Sequence, residues 1–252
     1  CHIRRNKLYP VILILGILGC DNLISFIIED KGVIHKNWYV HPDSDLATIQ
    51  AGLDSCHDGD TVTVAVGTYH ENIIWPNTSG ICLRSESGPV ETVIDGGKRD
   101  RVVLIDQSVE AVIDGFTIRN GYGRDGSAIY CCGDVMKTTI TRNIIRENYP
   151  DTTLPGRTCP IIVSEYGQNL MDMTENEICY NQGLAICVNG TGLTLISNRI
   201  HRNQGGVYCE WSTAVIAGNT IADHTGGGMV GFHVGGIECL ELFLISLPCL
   251  HH

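Results

Sequence analysis

The chain has 252 residues, a formal net charge of −11, 43% hydrophobic and 18% charged side chains, and only 6% aromatics. An acidic chain with no basic run longer than that of Arg4, Arg5 and Lys7 is not built to hold a nucleic-acid backbone, which needs clustered Lys and Arg. Twenty-nine glycines and many β-branched residues fit short strands and tight turns, and point away from helices around a wide aromatic core.

The N-terminus reads as an export signal. Residues 2–7 are polar and basic, Leu8 to Leu18 form an apolar run, and Gly19-Cys20 follows. That is the layout of a secretory signal whose apolar stretch is too short to span a bilayer comfortably. Ile17-Leu18-Gly19-Cys20 resembles a bacterial lipobox, which makes Cys20 a candidate lipid attachment site, although Leu18 stands where a small residue is usual. Residues 1–20 are therefore assigned to a signal peptide or lipoprotein signal, and 21–37 to a linker. The competing readings are a membrane anchor and a buried strand. The expected localisation is secreted or cell-surface, with the membrane met only through this N-terminal signal or lipid.

A short helix over 44–57 comes next, with Ser44 as its cap and Leu46, Ile49, Leu53 and Cys56 at helical spacing. It is placed to cover the open end of a stack of strands. Asp58-Gly59-Asp60 turns the chain into the alternating strand Thr61 to Val66, and Gly67-Thr68-Tyr69 turns it again. Extended stretches follow at Asn72 to Trp75, Ile81 to Arg84 and Val93 to Gly96.

From there an internal repeat dominates. Asn-x-Ile-x-x-Asn occurs at Asn143-Ile145-Asn148, Asn176-Ile178-Asn181 and Asn198-Ile200-Asn203, with a weaker copy at Asn219-Ile221-His224. Phe116 to Gly121 occupies the same frame with Phe116 in place of the first Asn. The first positions of the motif are thus Phe116, Asn143, Asn176, Asn198 and Asn219. The last two steps are nearly equal and the first two are lengthened by insertion, which gives a basic coil of about 22 residues. A second pattern keeps phase with it: Ile129-Tyr130-Cys131, Ala185-Ile186-Cys187 and Val207-Tyr208-Cys209 each precede an Asn motif by 10 to 12 residues. Two phased motifs of this period specify a solenoid.

One such coil cannot bury its apolar residues alone. Stacked at the inter-strand spacing of about 4.8 Å, each coil pairs its backbone with the coils above and below. Like then lies over like, Ile inside and Asn at the bends, where Asn tolerates left-handed backbone and its amide can bond to the next Asn. The fold expected is an all-β parallel β-helix over residues 38–232, with 233–252 a C-terminal cap or a truncated tail. Strand alternation points Ile129, Cys131, Ala185, Cys187, Val207, Cys209, Ile162 and Ser164 inward, and Tyr130, Ile186, Tyr208, Val163 and Glu165 outward. Twelve cysteines in an exported chain suggest disulfides, but they are scattered without a Cys-x-x-Cys pair. No zinc site is expected, and several cysteines read as small buried apolar residues.

Ala47-Thr48-Ile49-Gln50-Ala51-Gly52-Leu53, Asp58-Gly59-Asp60-Thr61-Val62, Gly67-Thr68-Tyr69-x-Glu71 and Asp114-Gly115-Phe116-Thr117-Ile118-Arg119-Asn120-Gly121 resemble the opening of secreted right-handed parallel β-helix repeat proteins of the pectin-lyase-like superfamily. The likeness covers roughly residues 38–230. It implies the fold but no single activity, since the superfamily holds lyases, hydrolases, esterases, epimerases and non-catalytic surface proteins. The opening also resembles pectin methylesterases, yet their catalytic Asp and Arg segments have no counterpart, nor do the paired aspartates and Gly-His-Gly of polygalacturonases.

The resemblance further implies a groove over the strand bearing Ile129, Ala185 and Val207, overhung by loops 121–126 and 149–158. There the catalytic candidates are Glu165 and Glu210, two coils or about 10 Å apart, the upper edge of the inverting-glycosidase separation, with Arg157 or Arg124 as cation or base for β-elimination. Candidates for substrate contact are Tyr130, Tyr166, Tyr208 and Trp211, as flat faces for sugar rings, with Arg124, Asp125 and Asp151 from the loops. No metal ligand set or cofactor is expected, calcium excepted if the chain is a lyase. The sequons at Asn77 and Asn189 read as incidental in a bacterial protein. The leading expectation is an exported β-helix repeat protein displayed toward polysaccharide. The alternatives are a polysaccharide lyase or glycoside hydrolase, and a truncated piece of a larger adhesin-like protein, suggested by Cys1 in place of Met. Nothing in the sequence sets an oligomeric state.

Overall fold

A computed structural model describes residues 34–123, 125–133, 137–151, 153, 159–163, 169–226, 231–233, 237–240 and 243–245. From His35 onward the chain forms one compact unit. The assigned signal and most of the linker lie outside the described residues, among which no helix is long and apolar enough to cross a membrane.

Short strands follow one another into three long parallel sheets, so that the chain winds through three faces per coil. The first face has nine strands, from Asn37–Val40 and Thr61–Val64 through Lys137–Thr141 and Asn169–Thr174 to Ile237–Leu240. The second has eight, among them Thr117–Arg119, Ile144–Arg146, Glu177–Cys179 and Arg199–His201. The third has seven, among them Asp125–Cys131, Cys159–Val163, Leu184–Asn189 and Gly205–Glu210. Pairing is parallel throughout, the arrangement expected of an all-β solenoid.

The register explains why the sequence repeats. On the second face Ile94, Ile118, Ile145, Ile178, Ile200 and Ile221 pair in succession and each is buried. The first face stacks Leu83, Ile113, Ile140, Met173, Leu195 and Ile216 in the same way. The third stacks Val103, Ile129, Ile161, Ile186 and Val207. Each such side chain contributes about 2–3 kcal/mol by leaving water, and the three columns together fill the solenoid's interior.

Two asparagine ladders run along the corners of this core. Asn143 Nδ2 donates to Asn176 Oδ1 (3.2 Å), Asn176 to Asn198 (2.9 Å), and Asn198 to Asn219 (3.0 Å). Each Oδ1 also accepts the backbone N–H of the preceding rung, as Asn198 does from Asn176 at 2.9 Å. The second ladder links Asn148, Asn181 and Asn203 at 2.9 and 3.0 Å. All seven residues are buried, so the repeated Asn are scaffold. Their backbone differs from expectation, however. The left-handed residue is the one before each ladder position: Arg142, Glu147, Glu175, Tyr180, Ser197, Arg202 and Gly218. The bend is made there, which leaves Asn free to reach along the stack. Asp223 repeats that bend, and His224 stands where a further Asn would extend the second ladder. Burial, with the neighbouring His201, pushes the His224 imidazole below its ordinary value.

The covering helix is shorter than expected and differently capped. It spans Ile49–Asp54, and Thr48, not Ser44, is its N-cap, with Ala51 N–H on Thr48 Oγ1 at 3.2 Å. Ser44 Oγ instead donates to the carbonyls of His41 and Leu46. The motif residues that carry the family resemblance build this end. Glu71 accepts the N–H groups of Ile49 (2.8 Å) and Gln50 (2.9 Å), and the Gln50 amide pairs with both backbone groups of Ile74. Asp60, almost fully buried, accepts from Lys36 N (2.7 Å), His57 N (3.0 Å) and Trp38 Nε1 (3.0 Å). At the other end the strands Ile237–Leu240 and Phe243–Ile245 pair in parallel with Ala214 to Ala217 and Thr220 to Ala222. The winding thus carries into the segment 233–252, where the sequence shows no repeat.

Candidate functional site

The expected groove lies over the third face, and the register corrects which side chains line it. Tyr130, Ile162, Cys187 and Tyr208 share one column, while Cys131, Val163, Val188 and Cys209 share the next. Ile129, Cys131, Val207 and Cys209 do join the core, as expected. In the two coils between, the expectation is one residue out of phase. Ile161 rather than Ile162 holds the inward position, and Ile186 and Val188 rather than Cys187. Ala185 is nonetheless buried. Phase slips because Leu184 stands three positions past Asn181, whereas its partner Gly205 stands two past Asn203, and a single residue moves a strand's side chains to the opposite side.

Cys187 consequently lies outside the main core, where it is bonded to Cys159 and packs with Tyr208, Tyr130 and Leu184 in a satellite cluster. Tyr208, expected as an exposed platform, is only 7% exposed, because that cluster covers its ring. Tyr130 is half-buried beneath the Arg101 guanidinium, 4.8 Å from its ring centre. Trp211 is 65% exposed, just past the end of this face. Glu210 pairs in register with Asn189 and is half-buried. Asp125 is half-buried at the start of its strand, across from Cys159. Asp151 accepts from Thr153 Oγ1 (2.6 Å) and Thr153 N (3.0 Å). Those bonds, with one from Tyr122, hold its carboxyl below the usual range. Glu165, Arg157, Tyr166 and Arg124 lie outside the described residues.

Two of the free thiols among the described residues, Cys131 and Cys209, behave as buried apolar groups. Burial pushes Cys131 and Cys209 up to about 12, so neither offers a thiolate near neutral pH.

Two features escaped the sequence reading. One is a cleft at the corner between the second and third faces, lined by Pro150, Tyr180, Gln182, Arg202, Gln204 and Thr225, with the ladder residues Asn181 and Asn203 behind them. Tyr180 is 50% exposed, and the Arg202 guanidinium both hydrogen-bonds to its hydroxyl and lies 5.6 Å from its ring centre. The other is a cluster on the second face. His201 Nε2 lies 2.8 Å from Glu177 Oε1, and ligand atoms of Glu177, Cys179 and His201 lie within 4.8 Å of one another. The signal was present, since Cys179 and His201, Tyr180 and Arg202, and Gln182 and Gln204 are each separated by one repeat. Only reading the positions between the Asn residues as columns would have revealed it.

In comparison with known proteins, the family described as "Right handed beta helix region" matches residues 64–238. No curated protein matches the chain. Three parallel faces, stacked Ile columns and Asn ladders agree with that match over most of the chain, which therefore belongs to the right-handed β-helix family.

Proposed function

We propose that this chain is an exported β-helix repeat protein that presents a rigid groove to polysaccharide at the cell surface. The observation that carries the reading is the corner cleft, where a half-exposed tyrosine ring stands among two glutamine amides, a guanidinium and a threonine. A flat ring covers the apolar side of a sugar, and side-chain amides and guanidinium groups match its hydroxyls or a uronate carboxylate. The cleft is built on strand ends tied together by the Asn148–Asn181–Asn203 ladder, so little ordering cost is left for binding. The exported location rests on the signal-like N-terminus, and surface attachment on Cys20.

Affinity electrophoresis of the full chain through gels containing polyuronates or neutral glucans tests this. Retardation is expected with at least one polymer, and Tyr180→Ala or Arg202→Ala should weaken it roughly tenfold, the loss of about 1.4 kcal/mol. No retardation by any polymer would overturn the reading. Release of an unsaturated, ultraviolet-absorbing product would replace display with lyase activity around Glu165, Arg157 and Glu210.

A further inference from the structure

We infer that Glu177, Cys179 and His201 form a binding site for a borderline divalent metal ion of the zinc type. The three residues sit on the outer side of the second face, from strands that pair directly: Glu177 opposite Arg199 and Cys179 opposite His201. Strand alternation places Ile178 and Ile200 in the core, which turns the residues beside them outward together. A carboxylate, a thiol and an imidazole from two neighbouring coils thus converge, their ligand atoms within 4.8 Å of one another.

The chemistry selects the ion. Sulfur and imidazole nitrogen favour zinc or cobalt over calcium or magnesium, which prefer all-oxygen shells. Bonds of about 2.0–2.3 Å set ligand atoms about 3.3–3.7 Å apart, so modest side-chain adjustment closes the site. Charge balances as well: one carboxylate and one thiolate neutralise a dication in a largely buried place. Burial, together with Glu177, pushes the Cys179 thiol up to about 11, so the thiol would enter protonated and release its proton to solvent as the Cys179 Sγ–metal bond forms.

A second observation points the same way. His201 is 4% exposed, and its buried Nδ1 has no hydrogen-bond partner among the described residues. Buried imidazoles ordinarily satisfy both nitrogens; this ring has spare ligand capacity, and a ring flip offers either nitrogen to an ion. Among the three, the carboxylate is the one that meets solvent. Cys179 and His201 are covered, with the Tyr180 ring against His201, whereas the Glu177 side chain is 35% exposed. A small ion can meet that carboxylate first. Cations nearby include Arg199, 3.3 Å from Glu177 Oε1, Arg146, across from Cys179, and Arg202. Arg199 is 64% exposed and can turn to solvent when the ion takes its carboxylate. Three protein ligands leave the fourth position to water, the pattern of zinc sites that do chemistry.

The test is a titration of the full chain, its Cys159–Cys187 disulfide intact, with Co²⁺, followed by displacement with Zn²⁺. The expected result is a thiolate-to-cobalt charge-transfer band with tetrahedral d–d bands, bleached by Zn²⁺. Cys179→Ala should abolish the charge-transfer band and weaken binding roughly tenfold or more. Alanine fits that column, which continues from Cys179 through His201 to Ala222. Glu177→Gln, at the more exposed position, should weaken Co²⁺ binding by a similar factor while leaving the buried thiol untouched. Absence of the band in the unaltered chain, or a band and affinity unchanged by both substitutions, would overturn the site.

Discussion

Replacing Asn198 with alanine is expected to cost the protein about 3–5 kcal/mol, as much as a large truncation in the core. The Asn198 side chain makes five hydrogen bonds while only 2% exposed. Its Nδ2 donates to Met173 O (2.8 Å), Ile196 O (3.1 Å) and Asn219 Oδ1 (3.0 Å). Its Oδ1 accepts Asn176 N and Asn176 Nδ2, both at 2.9 Å. Alanine strands these partners where water cannot replace the amide, and leaving buried polar groups unpaired costs more than each bond contributes. Asn198→Asp keeps the size and the acceptor but loses the donors, so it should be nearly as damaging. Urea unfolding at neutral pH, compared with a substitution of exposed Arg199, measures the effect; a loss below about 1 kcal/mol would show that the ladder is ornament.

Asp60→Asn is expected to cost about 2–3 kcal/mol at neutral pH, and to flatten the acid limb of the stability curve. Burial alone would raise this carboxyl. The N–H donors of His57, Lys36 and Trp38, with the His57 ring nearby, outweigh that and hold it at about 2, against an ordinary 3.8. A depressed carboxyl stabilises the fold fully above its unfolded value and loses that contribution as pH falls through the folded one. The native protein should therefore keep Asp60's contribution down to about pH 4 and surrender it between about pH 4 and 2. The Asn variant, which does not titrate, should lack that step. Trp38 donates to Asp60 directly, which makes tryptophan fluorescence during urea unfolding at pH 7 and pH 3 a suitable probe. Equal destabilisation at both pH values would contradict the assignment.

These two residues also show what was legible beforehand. Asn198 announces itself because solenoid stacking puts like on like, and a buried amide ladder needs the same residue in every coil. Asp60 is visible only as part of Asp58-Gly59-Asp60, a turn by its residue types. Its actual work, tying Lys36, Trp38 and His57 together, is tertiary. The inward face of the strand at Cys187 was unreadable for another reason. One residue gained or lost in a turn reverses alternation, and the spacing of Cys187 and Cys209 by one full repeat conceals the slip. The expected functional side chains fared differently again. Period and alternation say which face a residue takes, but not what covers that face. Tyr208 was placed on the correct side and is buried there by Cys159, Cys187 and Tyr130. The Glu177–Cys179–His201 group has no local motif, because its members come from two coils and meet only across a sheet.

Coils stacked in one register, with Asn amides as rungs, underlie every feature of this molecule. Residue-by-residue amide hydrogen exchange tests that most directly. The N–H groups of Asn143, Asn148, Asn176, Asn181 and Asn198 each donate to the side-chain oxygen of the next rung, at 2.8 to 3.1 Å. They should exchange as slowly as the core strand amides of Ile145, Ile178 and Ile200, at or near the rate of global unfolding. Exchange of these Asn amides as fast as that of exposed turn residues such as Asp58 and Ser87 would contradict the ladders, and with them the register.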